Sequence, residues 1–153
     1  MPKENPNEPK KLRLFVDPAS ISSGWALFEG TELLKSGTVQ VEAKDAVWTR
    51  LRHVYYEYLS LANSVEMLKV SEVHIEQLPR RCHIYTHYSV GTIGTAFSPN
   101  GCKISGDIPV KSWQAHCDWH GSKKGLEAYQ GGVDSEDELA AIGMGLWYTT
   151  TKV

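Results

Sequence analysis

Residues 45–69, "DAVWTRLRHVYYEYLSLANSVEMLK", contain neither glycine nor proline. Val47, Leu51, Val54, Tyr55, Tyr58, Leu59, Ala62, Val65 and Leu68 recur there at helical spacing, and Asp45 stands ahead of them as an N-cap. The pattern predicts a long amphipathic helix over 45–69. Short β-like runs flank it. "LRLFVD" (12–17) comes first, then Gly24–Glu29 and Leu33–Val41 joined at the hairpin-like "EGTE", and after the helix "SEVHIEQLP" (71–79), which Pro79 stops. A helix of this length between strands leaves few options. Early antiparallel strands followed by βαβ units predict a mixed sheet with helices packed on its faces.

The rest of the chain extends that order. Residues 83–97 read as a helix with Gly91 and Gly94 on a close-packing face, although Thr, Ile and Tyr there also suit a strand. "SPNG" (98–101) reads as a turn, "CKISGDIPV" as a strand and 110–119 as a short helix. Gly121, Gly125, Gly131 and Gly132 mark a loop, and a final helix runs from about Asp134 to Tyr148. A chain of 153 residues is one domain in size. Residues 1–11, rich in Pro, Asn, Glu and Lys, read as a disordered tail, leaving 12–153 as the domain. No run is apolar enough for a membrane span or a secretory signal, and three cysteines without framework spacing favour free thiols. The expected location is cytoplasmic, not secreted. Trp25, Trp48, Trp113 and Trp147 are assigned to the core, and Trp119 is left open.

Three acidic points stand out, two on strand-like runs and one at the start of the last helix. Asp17 closes the first run, and Glu76 lies in "VHIEQLP". Asp134 and Asp137, three apart in "DSEDELAAIGMG", can share a helix face. Each has a plainer reading: a turn start at Asp17-Pro18, an edge-strand solvent face at Glu76, and a dipole-favoured helix start at 134–138. Taken together, four converging carboxylates repel unless cations neutralise them, and hard oxygen ligands select Mg²⁺ or Mn²⁺. Two such ions suit phosphodiester cleavage. Glu136 and Glu138 read as solvated acids. The middle of the chain supplies complementary charge. From Leu78 to Lys124, six basic residues (Arg80, Arg81, Lys103, Lys111, Lys123, Lys124) face only Asp107 and Asp118. Tyr85 and Tyr88 are candidates for stacking on nucleic acid, with core packing as the alternative. Some of Cys82, His83, His87, Cys117 and His120 offer a zinc alternative, without the paired cysteines that usually accompany one.

"FVDPASISSGWALFE", "VHIEQLP", "VGTIGTA" and "DSEDELAAIGMG", in that order, resemble the RuvC family of Holliday-junction resolvases, in the ribonuclease H-like fold. The resemblance covers about residues 12–149 and is closer to the small phage-type members than to the bacterial ones, which would place the protein in a host cytoplasm. It implies an α/β, ribonuclease H-like mixed sheet with helices on both faces. It implies Asp17, Glu76, Asp134 and Asp137 as ligands of two Mg²⁺ ions, with Mn²⁺ as a substitute. It also implies a homodimer that cuts opposed strands of a four-way DNA junction and leaves 5′-phosphates. Arg80, Arg81, Lys111, Lys123 and Lys124 would contact the DNA. The chain departs from the family in three ways. Ala19 replaces the usual Gly, the segment between "GSKKG" and Asp134 is short, and the phosphate-contacting lysine is not evident, with Lys111, Lys123 and Lys124 as candidates and Gln114 at another possible position. Three rival readings stand beside this one: a flap, fork or general structure-selective nuclease, a catalytically silent junction binder, and a nucleotide-binding relative of the same fold. The last would need Gly-rich phosphate loops, and no second loop of that kind is present.

Overall fold

The structure is a computed structural model that describes residues 5–153. The part of the expected tail at residues 1–4 lies outside the described residues. Residues 5–11 form no helix or strand and include a turn in which the Glu8 amide bonds the Asn5 carbonyl. Five strands follow: β1 (Leu12–Asp17), β2 (Ser22–Glu29), β3 (Glu32–Gln40), β4 (Glu72–Glu76) and β5 (Lys103–Ile108). They lie in one sheet in the order β3-β2-β1-β4-β5. β1 pairs antiparallel with β2 and parallel with β4, while β2–β3 is antiparallel and β4–β5 parallel. The hairpin between β2 and β3 closes through Gly30, whose φ of 57° favours glycine.

Strand parity divides the sheet into two cores. Leu14, Val16, Trp25, Leu27, Val73 and Ile75 face α1 (Val47–Ala62) and α2 (Ile84–Phe97). Phe15, Ala26, Phe28 and Ile108 face α3 (Val110–Cys117) and α4 (Glu136–Thr151). Helices therefore cover both faces, as a mixed sheet with parallel crossovers requires.

Several local expectations change. α1 ends at Ala62, well short of Lys69, and only a 3₁₀ turn (Met67–Lys69) follows. Ser64 turns its hydroxyl back onto the Leu61 carbonyl at 2.6 Å, and Asn100 donates to the Ala62 carbonyl at 2.9 Å. Such side chains compete with continued helix bonding. The N-cap position falls on Ala46, with no side-chain cap, rather than on Asp45. Trp48 is 74% exposed, not core, because the buried stripe of α1 runs through Val54, Tyr58 and Ala62 and misses it. Trp25, Trp113 and Trp147 are buried as expected. Residues 84–97 are helical, but a Cβ on Gly91 would meet nothing within 4 Å and one on Gly94 only Ile104, so neither glycine packs closely within the chain.

Candidate active site

Alternation along the strands decides where the acids go. Asp17 shares the parity of Phe15 and lies on the α4 face of the sheet. Glu76 shares that of His74, whose ring stacks on Phe15, and so lies on the same face. Asp17 ends β1 and Glu76 ends the adjacent parallel β4. Both carboxyls thus stand at the carboxyl ends of neighbouring central strands, the usual place for ligands in open α/β sheets. Asp137, in the first turn of α4, joins them.

Asp17 contacts each of the other two, lying within side-chain hydrogen-bond reach of both Glu76 and Asp137. Burial raises the Asp17 carboxyl well above the usual range, and the charges of Glu76 and Asp137 push it further up. Glu76 is also raised, chiefly by burial and to a lesser degree by the Asp137 charge, while hydrogen bonds from Trp113 and Asp17 oppose the shift. Of the two raised acids, Asp17 is the one pressed further toward its protonated form. Beneath the trio, the fully buried Tyr58 hydroxyl lies 2.7 Å from Ser23 Oγ.

Asp134 is placed differently. α4 starts at Glu136 with Ser135 as its N-cap, so Asp134 precedes the helix and is exposed. It lines a depression of about 360 Å³ with Lys123, Gln130, Ser135 and Glu136. The helical-face argument that paired it with Asp137 does not apply, because only Asp137 is inside the helix. Glu138, expected to be solvated, is 3% exposed. Its carboxylate accepts from Ser36 Oγ at 2.8 Å, Thr38 Oγ1 at 3.3 Å and the Asp134 amide at 3.2 Å. Ser135 Oγ accepts from the Glu138 amide at 3.1 Å and pairs with Thr38 Oγ1 at 2.7 Å. The sequence did carry a signal for this. "SEDE" is a Ser-x-x-Glu capping box, the pattern that places its Glu against the helix start.

Two further residues shape the site without having been marked as functional. Gly24, paired with Asp17, lies directly under the Asp137–Glu138 peptide, and a Cβ there would overlap its backbone atoms. Its bare backbone lets the start of α4 cross β2 and reach the hydroxyls of β3. Trp113, assigned only to the core, donates its indole N–H to Glu76 Oε2 at 2.6 Å.

The basic candidates lie in loops and helices that follow β4 and β5. Arg80 and Arg81 are exposed in the loop that leaves β4 beyond Glu76, and Lys111 and Lys124 are also exposed. The Lys123 ammonium lies 4.9 Å from the Trp119 ring centroid, and Trp119 meets Trp113 edge-on at 5.0 Å. Tyr85 is half-buried with the Arg50 guanidinium 5.0 Å from its ring centroid, and Tyr88 is 43% exposed.

The donor chemistry of the trio fits a hard divalent cation. Three carboxyls, two of them raised by burial and repulsion, are the groups that such a charge would relieve. Among the described residues, no three His, Cys, Asp or Glu side chains stand at ion-holding spacing, and that includes the zinc alternative. Cys82 and His87 do meet, Sγ to Nε2 at 3.0 Å, but Cys117 is buried in the core formed by α3 and α4.

The raised acids set a pH dependence. The folded, metal-free protein holds protons on Asp17 and Glu76 that the unfolded chain releases. Its stability should therefore be full below about pH 4, the ordinary carboxyl range, and fall as pH rises through the elevated values of these two acids. Urea denaturation across pH should record this fall, and Mg²⁺ at a hundredfold excess over its Kd should restore about 2.7 kcal/mol. A flat profile unaffected by Mg²⁺ would refute both the coupling and the ion.

No protein-family model and no curated protein sequence matches the chain. Solved structures do. The chain is similar to T. thermophilus RuvC in complex with Holliday junction substrate, with a TM-score of 0.71 and 12% identity over 92% of this chain and 95% of that one. A second Thermus thermophilus RuvC structure gives 0.67 and 13%, over 92% and 96%. The chain carries the ribonuclease H-like α/β fold of RuvC. No helix among the described residues is long and apolar enough to cross a membrane.

Proposed function

We propose that this protein is a divalent-metal-dependent endonuclease that resolves four-way DNA junctions. The observation that carries the proposal is the convergence of Asp17, Glu76 and Asp137, from two strand ends and a helix start, at the carboxyl end of the central strands of a RuvC-like fold. Asp17, Glu76 and Asp137 would hold the metal, and Asp134 becomes the fourth ligand if the segment before Ser135 turns inward. Two Mg²⁺ ions, or Mn²⁺ in their place, would supply an activated water and charge stabilisation at the leaving oxygen, giving 5′-phosphate ends. The chain itself brings the carboxyls together under a low-dielectric floor and holds them against repulsion. Arg80, Arg81, Lys111, Lys123 and Lys124 would engage phosphates without reading sequence, so binding should weaken steeply with salt.

The substrate assignment is supported by the junction DNA bound to the T. thermophilus neighbour. A homodimer is supported by an unpartnered groove of about 790 Å³ between α1 and α2, lined by Trp48, Tyr55, Tyr88 and Gly91. Apolar surface of this kind on a small chain marks an interaction site. Incubation with labelled four-way, three-way, flap and linear DNA tests both points. Symmetric paired nicks in the four-way substrate alone are expected. Equal cutting of flaps or forks would replace the junction assignment with a broader structure-selective nuclease. Binding without Mg²⁺-dependent cutting of any substrate would leave a junction-binding module.

A further inference from the structure

We infer that Trp113 is a positioning residue for the site, fixing Glu76 through its indole N–H so that one carboxyl oxygen is committed to the protein while the carboxyl stays beside Asp17, where an ion would take the place of the proton between them. The inference rests on the metal-dependent reading above. At 2.6 Å the Nε1–Oε2 contact is as short as a charge-assisted bond. Indole has a single donor and no acceptor, so this geometry recognises a carboxylate oxygen in one orientation only. The ring itself cannot drift. Trp113 is 2% exposed, and a Cβ on Gly143 of α4 would lie 3.2 Å from its ring carbons. Trp119 closes its other side, edge-on. α3 and α4 thus clamp the donor, and the donor holds an acid that sits on neither helix. A tryptophan needed only to fill this core would not require its one polar atom to be aimed at a ligand carboxyl.

Hydrogen bonds to ligating carboxylates commonly matter by about 10- to 100-fold in metal affinity or activity. Trp113→Phe keeps an aromatic ring but removes the N–H. Two measurements on the full chain, neither dependent on turnover, test the inference: Mn²⁺ binding by calorimetry, and the ¹⁵N–¹H spectrum of the indole groups, in which the Trp113 signal is identified by its loss in Trp113→Phe. Trp113→Phe should weaken Mn²⁺ binding by about 10- to 100-fold. Glu76→Gln should displace the Trp113 indole signal while the far-UV circular dichroism stays unchanged. Trp119→Phe, which disturbs the same aromatic cluster without touching Glu76, should bind Mn²⁺ like wild type. Unaltered Mn²⁺ affinity in Trp113→Phe, an indole signal indifferent to Glu76→Gln, or equal weakening by Trp119→Phe would overturn the positioning role. Wild-type protein that binds Mn²⁺ but cuts no branched DNA would sink the nuclease reading while leaving both of these readouts decisive. Wild-type protein that takes up no Mn²⁺ overturns both.

Discussion

Asp17→Asn should lower Mg²⁺-dependent cleavage of a four-way junction by about a thousandfold or more, while junction affinity stays within a few-fold of wild type. The cleavage loss corresponds to several kcal/mol of charge stabilisation at the reacting phosphate. Affinity should be spared because the residues proposed to meet the DNA are the basic ones, not the acidic trio. The same variant should be more stable than wild type in the absence of metal. Asp17 is raised well above the ordinary carboxyl range, first by burial and then by Glu76 and Asp137, so at neutral pH the folded protein must take up a proton there. A neutral amide avoids that cost, and each kcal/mol relieved raises Tm by about 2–4 °C for a chain of this size. Single-turnover gels and thermal melts in chelator measure the two effects. Undiminished cutting would sink the active-site assignment, and a lower metal-free Tm would sink the account of its electrostatics.

Gly24→Ala should be among the most damaging single-methyl additions in the protein. The new Cβ would occupy the space of the Asp137 carbonyl and the Glu138 amide. Those are backbone atoms at a helix start, so no side-chain rotation relieves the clash and α4 must move as a unit. Movement breaks the Ser36–Glu138 and Thr38–Ser135 bonds and draws Asp137 away from Asp17. Overpacking together with a buried carboxylate losing its donors comes to about 3 kcal/mol or more. Urea denaturation should give a much lower midpoint, and cleavage should be lost even where the variant remains folded. Gly106→Ala is the matched control. It sits in strand β5 with nothing within 4 Å of its Cβ, and replacing a strand glycine by alanine gains roughly 0.5–1 kcal/mol. A Gly24→Ala midpoint equal to wild type would refute the close approach of α4.

These residues also mark where reading the sequence succeeds and where it stops. Asp17 and Glu76 were legible because a strand has period two and both acids close apolar runs, so parity and strand end place them together. The helix start was ambiguous because Asp and Ser both cap well. "DS" admits either residue as N-cap, and the choice of Ser135 moves Asp134 out of the helix, Asp137 into its first turn and Glu138 into the core. The early end of α1 depends on Asn100, far along the chain, reaching the Ala62 carbonyl. Gly24 gave no local sign at all, since what it accommodates is a backbone segment from the opposite end of the sequence. Trp113 looked like core because it is core; its contact with Glu76 needs the parallel pairing of β4 and β5, which sets Glu76 opposite Ile108 just ahead of α3.

The clamp between β3 and α4 has a consequence in time as well as in space. Ser36 and Glu138 stand 102 positions apart, so this contact must wait for a long stretch of chain to be made after Ser36. Contacts of such separation close slowly, and synthesis delivers the N-terminal elements first. On the ribosome, β1 and β4 can pair and bring Asp17 beside Glu76 while the third carboxyl is still inside the exit tunnel. A nascent or prematurely terminated polypeptide ending before Asp137 therefore carries an incomplete cluster. The cluster is completed only once residues through Asp137 have left the tunnel and α4 has docked on β2.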